Sequence, residues 1–254
     1  QYLLNSILKN PDQPLIAMPL IPDTQLYQVL GLNAESYEKI MPLTLTQRDI
    51  LIDSLAHPDS TYNCLGFSIE IHQSLDIEKW HQSLQLISDE EPVLRTKIVT
   101  NQIYFADSGY QCVLKKMPVH FEFLNWESIV SNQEELKQKT SKLVYKTIDI
   151  VNQNILENYL IKLNKQHFIM ICAGHHIAID GTGGALILQR ICQKYESLLN
   201  NETDKSVLSQ PYQEYIEFNL KYFDNASAIE QWKHRFQHVE PLDMPVLPKL
   251  HERS

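Results

Sequence analysis

Glycine is scarce in this chain, with seven among 254 residues. Long hydrophobic runs are absent: no stretch of about 18 apolar residues exists, which excludes a helix spanning a bilayer. The N-terminal QYLLNSILKNPDQPL has no basic segment ahead of an apolar one, so it is not expected to be a secretory leader and reads as the start of an excised segment. Positive charge is in deficit. Lys and Arg number 22 against 31 Asp and Glu, the formal net charge is −9, and the lysines form no stripe. Neither nucleic acid nor an anionic membrane surface is the expected main partner. The four cysteines, Cys64, Cys112, Cys172 and Cys192, have no C-x-x-C spacing and sit in apolar surroundings. They read as buried free thiols of a cytoplasmic protein, in which the sequons at Asn201 and Asn225 carry no glycan.

What is present is a core-forming α/β pattern, with 43% hydrophobic side chains. Residues 1–33 hold a short helical pattern broken by prolines and read as a linker. LTLTQRDILIDSLA, with Thr44 or Thr46 as N-cap, and LDIEKWHQSLQLISDE, opened by Asp76, have helical periodicity. YNCLGFSIEIH alternates like a strand, and VLRTKIVTNQIYFA with YQCVLKK suits a hairpin turning at Asp107–Gly109. VHFEFLNW is a further strand, and SNQEELKQKTSKLVYKTI a polar-faced helix. NYLIKLNKQHFIMICAGH gives two strands turning at Asn164–Lys165, the second apolar enough to be central. Three helices follow, in GALILQRICQKYESLL, PYQEYIEFNLKYF and AIEQWKHRFQHV, before a proline-rich tail. Strands interleaved with helices predict an α/β sandwich with a mixed sheet. In PYQEYIEF, Tyr212, Tyr215 and Phe218 recur at helical spacing and predict a core face, with a catalytic Glu214 as the sharper alternative.

Four of the seven glycines fall in CAGHHIAIDGTGG, residues 172–184: Gly174, Gly181, Gly183 and Gly184. The segment follows a buried strand and opens a helix, where α/β folds place their chemistry. A zinc site would want His at i, i+4 on a helix or Cys and Glu partners, and none is nearby, so no metal is expected. Neither phosphate-loop spacing occurs, and Cys172 lies within the strand without an elbow. There remains a histidine acting as base or hydrogen-bond partner on a substrate that brings its own nucleophile. Successive strand residues face opposite ways, so one histidine, His175, is expected to be structural and the other, His176, functional. Asp180 would orient the loop through a buried ion pair, with Arg95 the first candidate partner and Arg48 the second. The glycines would let a thin substrate or an oxyanion meet backbone N–H groups at the helix N-terminus.

HHIAIDG resembles the H-H-x-x-x-D-G signature of condensation domains of nonribosomal peptide synthetases, in the chloramphenicol-acetyltransferase-like superfamily. LTLTQRDIL (43–51) is similar to the family's S-x-A-Q-x-R-L-W, with Gln47 matching, Thr44 for Ser and Asp49 where Arg is usual. EEPVLRTKI (90–98) keeps Leu94, Arg95 and Thr96 of R-H-E-x-L-R-T-x-F but lacks its Arg-His-Glu start. YQEYIEF (212–218) resembles Y-x-D-Y-A-x-W, with Glu214 for Asp and Phe218 for Trp. The likeness covers about residues 1–250, and the later motifs of the family's second lobe have no counterpart.

The resemblance implies a chloramphenicol-acetyltransferase-like two-layer sandwich, a mixed sheet flanked by helices, forming one lobe of a two-lobed domain. Residues 1–38 would be interdomain linker, 39–240 the N-terminal lobe and 241–254 the start of the lobe–lobe linker. It implies amide-bond formation between a donor acyl or peptidyl thioester and an acceptor aminoacyl thioester. Both would ride on phosphopantetheine arms of carrier proteins, with no tightly bound cofactor. His176 would hold or deprotonate the amine, Gly181 would offer its N–H to the oxyanion, and Gly183 and Gly184 would line the substrate tunnel. The partners would be donor and acceptor carrier proteins, the second lobe and neighbouring synthetase domains. Rival readings are an epimerising or ester-forming variant and a non-catalytic docking platform; heterocyclisation lacks its double-aspartate signature. A lone lobe is expected to be inactive, because a tunnel with one wall cannot exclude water.

Overall fold

The computed structural model describes residues 26–28, 30–100, 109–151, 154–202, 212–223 and 226–240. Strand β1 spans Tyr37–Pro42 and helix α1 Leu45–Ala56. Strand β2 (Cys64–Ile71) leads to helix α2 (Ile77–Glu90), a short 3-10 turn and strand β3 (Thr96–Thr100). Strands β4 (Gly109–Leu114) and β5 (Phe121–Asn125) precede helix α3 (Gln133–Val144). Strands β6 (Leu156–Asn164) and β7 (His167–His175) run into helix α4 (Gly181–Asn200), followed by α5 (Tyr212–Phe223) and α6 (Ala226–Phe236). None of these helices is long and apolar enough to cross a membrane. The calls on residues 1–25 and 241–254, and the turn of the β3–β4 hairpin, lie outside the described residues.

The helices start where side chains satisfy their first amides. Thr44 and Gln47 form a reciprocal capping box on α1, and Asp76 accepts the Lys79 N–H at 3.0 Å to open α2. Helix α4 ends on Asn201 in the left-handed conformation, φ 54°, a common stop.

The strands divide into two sheets, ordered β1-β4-β3 and β2-β7-β6-β5. The first is antiparallel throughout, and the mixed character of the second comes from the single parallel pair β5–β6. Strand β7 is central, as its unbroken apolar run predicts. Phe168, Met170 and Cys172 face a core shared with Trp80, Leu84 and Ile87 of α2 and Ile187 and Ile191 of α4. Ile169, Ile171 and Ala173, on the opposite face, meet Leu136, Leu143 and Val144 of α3. Strand β1 was not foreseen: YEKIMP is charged, ends in proline and occupies a sheet edge, where proline is tolerated. It begins at Tyr37, inside the stretch read as linker. Cys64, Cys112 and Cys172 are buried free thiols, while Cys192 is only partly covered. Burial pushes the Cys112 and Cys172 thiols up to about 12.

Candidate functional site

Strand β7 delivers the double histidine. His175 is its last residue and is 3% exposed, while His176 opens the following turn with an exposed side chain. The Ile177 N–H donates to His175 Nδ1 at 3.2 Å, so that nitrogen presents a lone pair and the proton belongs on Nε2. Nε2 then donates to Ser54 Oγ at 3.2 Å, and Ser54 passes its own proton to the Ile50 carbonyl at 2.7 Å. Burial pushes the imidazole down to about 4, helped by neighbouring His176 and opposed by Asp53. The unfolded chain therefore takes up a proton that the folded chain refuses between pH 6.5 and about 4. Stability present above pH 6.5 falls as the pH drops through this window, by about 3 kcal/mol at most. In urea titrations at pH 7 and pH 4.5, His175→Gln should lose less stability on acidification than the parent chain. Equal losses would show that His175 does not carry this term.

Helix α1 grips the turn. Gln47 donates from Nε2 to the Ile177 carbonyl at 3.0 Å, while its Oε1 accepts the Thr44 N–H at 3.0 Å and Gln111 Nε2 at 3.0 Å. The Asn63 carbonyl accepts the His176 N–H at 2.7 Å, and the Asn63 side chain donates to Asp53 Oδ2 at 2.8 Å. Gln47 is the matching residue of the first motif, and through these bonds it fixes the backbone on which His176 stands. Ser54, Asn63 and Gln111 escaped the sequence reading because a polar residue joined across 60 to 130 positions leaves no local pattern.

Helix α4 begins at the glycines. Asp180 is its N-cap, accepting the Gly183 N–H at 2.7 Å on Oδ1, while its carbonyl accepts the Gly184 N–H at 2.9 Å. The amides of Gly181 and Thr182 bond to none of the described residues and stand at the positive end of the helix. A Cβ on Gly181 would meet nothing within 4 Å. Gly184 differs. A Cβ there would lie 2.1 Å from the Phe67 ring, and the residue is buried. Packing of α4 on β2 explains this glycine, so its expected place in a tunnel lining is corrected.

The ion pair expected for Asp180 is not formed. Its carboxylate is exposed and has no cationic partner among the described residues. Arg95 is 4% exposed and turns the other way. It donates to the Ser88 carbonyl at 2.8 Å, the Asp89 carbonyl at 3.3 Å and the Leu114 carbonyl, and it pairs with Glu38 at 3.0 Å. The reason is local. Arg95 follows α2 directly, and its guanidinium answers the unpaired carbonyls at that helix end. Arg48 is not the substitute partner either: no ion pair joins it to Asp180 among the described residues, and its Nε is buried without a hydrogen-bond acceptor there. Asp180→Ala should therefore cost about 1 kcal/mol, as a lost N-cap does, and leave soluble protein. A loss of about 3–5 kcal/mol in denaturant titration would reinstate a buried pair.

Helix α5 also corrects an expectation. Ile216 is buried, 1% exposed and packed with Met41 and Val113, whereas Tyr212, Tyr215 and Phe218 are 44%, 50% and 58% exposed. A periodic apolar stripe marks a face that suits a partner surface, and periodicity cannot tell whether the partner is the chain's own core. Glu214 is exposed. Tyr212 nonetheless reaches the site, its hydroxyl bonded to the Thr44 side chain, with its pKa raised by burial and by Tyr215 and Asp180 nearby.

Sequence comparison gives the same neighbourhood. The family described as Condensation domain matches residues 37–254. Surfactin synthase subunit 2 of Bacillus subtilis (strain 168) is 23% identical over 211 residues, covering 82% of this chain and 6% of the relative. Gramicidin S synthase 2 of Brevibacillus brevis is 26% identical over 220 residues, covering 85% and 5%. Among solved structures, the starter condensation domain of rhizomide synthetase superposes with a TM-score of 0.69 at 18% identity, covering 80% of this chain and 49% of that one. The first condensation domain of the calcium-dependent antibiotic synthetase, in complex with a substrate analogue, gives 0.70 at 16% identity, covering 83% and 52%. The chain spans about half of these solved domains and a small part of the curated relatives.

Proposed function

Because the chain belongs to the condensation-domain family, we propose that it forms the wall of an acyl-transfer site at which an acceptor amine attacks a donor thioester carbonyl. The observation that carries this reading is the division of labour in the double histidine. His175 is buried and fully bonded, and His176 is exposed in the turn that leads into α4, whose first two amides are open. In the attack the amine nitrogen bonds to the carbonyl carbon, the carbonyl oxygen gains negative charge and the nitrogen sheds a proton. His176 accepts that proton or holds the amine in line, and the Gly181 amide stabilises the oxygen. Collapse expels the thiolate of the donor arm and leaves an amide on the acceptor arm. Gly183 gives its amide to Asp180 and so lines the approach only as backbone.

The arms belong to phosphopantetheine-loaded donor and acceptor carrier proteins, and the chain itself needs no resident cofactor. A second lobe completes the tunnel, neighbouring synthetase domains supply the carriers, and the assembly works in the cytosol, the setting suited to four free thiols. The exposed aromatic faces of α5 and α6, where Tyr212 stacks on Tyr215 and Trp232 on Phe236, support a larger assembly. Residues 1–254 alone are inactive in this reading.

The test mixes the two-lobed domain with loaded donor and acceptor carriers and follows both by intact-mass spectrometry. Transfer of the donor acyl mass to the acceptor carrier is the expected result. Where masses stay unchanged, chiral chromatography of the residue released from the carrier separates the rivals: an inverted stereocentre assigns the epimerising variant, and unchanged stereochemistry with retained carrier binding assigns a docking platform; either overturns the proposal. Transfer by residues 1–254 alone would overturn the need for a second wall.

A further inference from the structure

The end of β7 remote from His175 carries a second cluster of chemistry. Glu70 lies on β2, His72 comes two residues after it and immediately past the end of that strand, and His167 begins β7. The pairing Ile71↔Phe168 sets His72 opposite His167 and puts both on the sheet face that Glu70 shares. The three side chains converge. His167 Nε2 is 3.1 Å from Glu70 Oε2, His72 Nε2 is 3.4 Å from the same oxygen, and the two imidazole centroids are 4.5 Å apart. One donor atom from each lies within 4.8 Å of the other two, and this is the one such His, Cys, Asp or Glu trio among the described residues.

We propose that Glu70, His72 and His167 bind a divalent transition-metal ion of the zinc class. With metal–ligand bonds of about 2.0–2.1 Å, neighbouring ligands of a tetrahedral ion sit about 3.3–3.4 Å apart. The two contacts to Glu70, at 3.1 and 3.4 Å, are close to that spacing, and the three donor atoms lie within 4.8 Å of one another, so the side chains are already gathered for an ion. Two imidazoles and one carboxylate match the borderline softness of zinc and leave a fourth position for water. Glu70 and His72 also border a cleft of about 300 Å³, which gives the ion an entry path. Strand β2 is an edge of its sheet, and an ion shared with β7 staples that edge to the central strand. The sequence reading sought histidines at helical i, i+4 spacing. A strand site uses i, i+2 plus a partner about 95 residues away, which no short motif reports.

The experiment titrates Zn²⁺ alone into the metal-stripped chain by isothermal calorimetry and follows the melting temperature. One ion per chain is expected, with a rise of about 3–5 °C at tenfold excess over Kd. Co²⁺ in its place should give the intense visible absorption of a four-coordinate site. Glu70→Gln and His72→Ala should each weaken Zn²⁺ binding at least about tenfold and remove the Co²⁺ band, as the loss of one of three ligands does. His234→Ala, on α6, should change neither. Glu70→Gln keeps the shape and hydrogen bonding of the side chain and guards against loss of folding. Absence of binding to the parent chain, or undiminished affinity in Glu70→Gln and His72→Ala, overturns the proposal: the first leaves a carboxylate bridging two imidazoles, the second places the ion elsewhere.

Discussion

His176→Ala should lower acyl transfer by about 10²–10⁴-fold in the two-lobed domain while the melting temperature stays within about 1 °C of the parent. The large kinetic effect is what the proposed role requires of an imidazole that is exposed in the turn leading into α4, where it is free to meet a substrate. The small thermodynamic effect follows from the same exposure, because truncating a solvated side chain opens no cavity. The His176 backbone N–H, bonded to the Asn63 carbonyl at 2.7 Å, is kept in the variant. His175→Ala is the control with the opposite signature. It removes the partner of Ser54 and of the Ile177 amide, so stability falls before activity is lost. Rates from loaded carriers and melting curves for both variants check the pair. A His176→Ala domain with parental rates would leave the chemistry without its base.

The second large effect is on folding. Arg95→Ala should destabilise the chain by about 3–5 kcal/mol, lowering the melting temperature by roughly 10 °C. The guanidinium closes the end of α2 by donating to the Ser88 and Asp89 carbonyls, and it ties that end to β4 through the Leu114 carbonyl. With Arg95 gone these carbonyls lose a charged donor at a site where the side chain is only 5% exposed. Glu38, whose side chain is 52% exposed, is the minor partner, and Glu38→Gln should cost under about 1 kcal/mol. Arg95→Lys should recover little, since a single ammonium cannot fork between carbonyls on two elements. Denaturant titration ranks the three variants. Equal costs for Arg95→Ala and Glu38→Gln would mean that the ion pair, and not helix closure, is what Arg95 supplies.

Elements that carry their own signal were legible in the sequence. Capping residues placed the starts of α1 and α2, the apolar run of FIMICAG placed β7 at the centre of its sheet, and alternation separated His175 from His176. Partners joined across the fold were not legible. The place of LRT, after an amphipathic helix and at the entry to the sheet, suggests Arg95 as the partner of Asp180, yet the guanidinium bonds backbone carbonyls close to it in the chain. Gly184 looked like part of a substrate path because glycine admits close approach, and the close approach is by Phe67. The stripe Tyr212, Tyr215 and Phe218 was a true periodic signal, but it faces outward. Strand β1 lacked the apolar alternation that would announce it, because its place at an edge tolerates charge and proline.

The ladder flanking β7 has a consequence for how the chain opens. Residues 168–175 pair with β2 and residues 167–174 with β6, so nearly every amide of β7 is enclosed on both edges. Such a strand exchanges its amide hydrogens only when the whole fold opens. The turn that carries His176 is anchored at the end of that strand and clasped by α1, and it inherits the same protection. In deuterium exchange β7 should be among the last segments labelled, while the outward-facing α5 and α6 label early. On slow heating, α5 and α6 loosen first and the histidine holds its position until the fold itself melts.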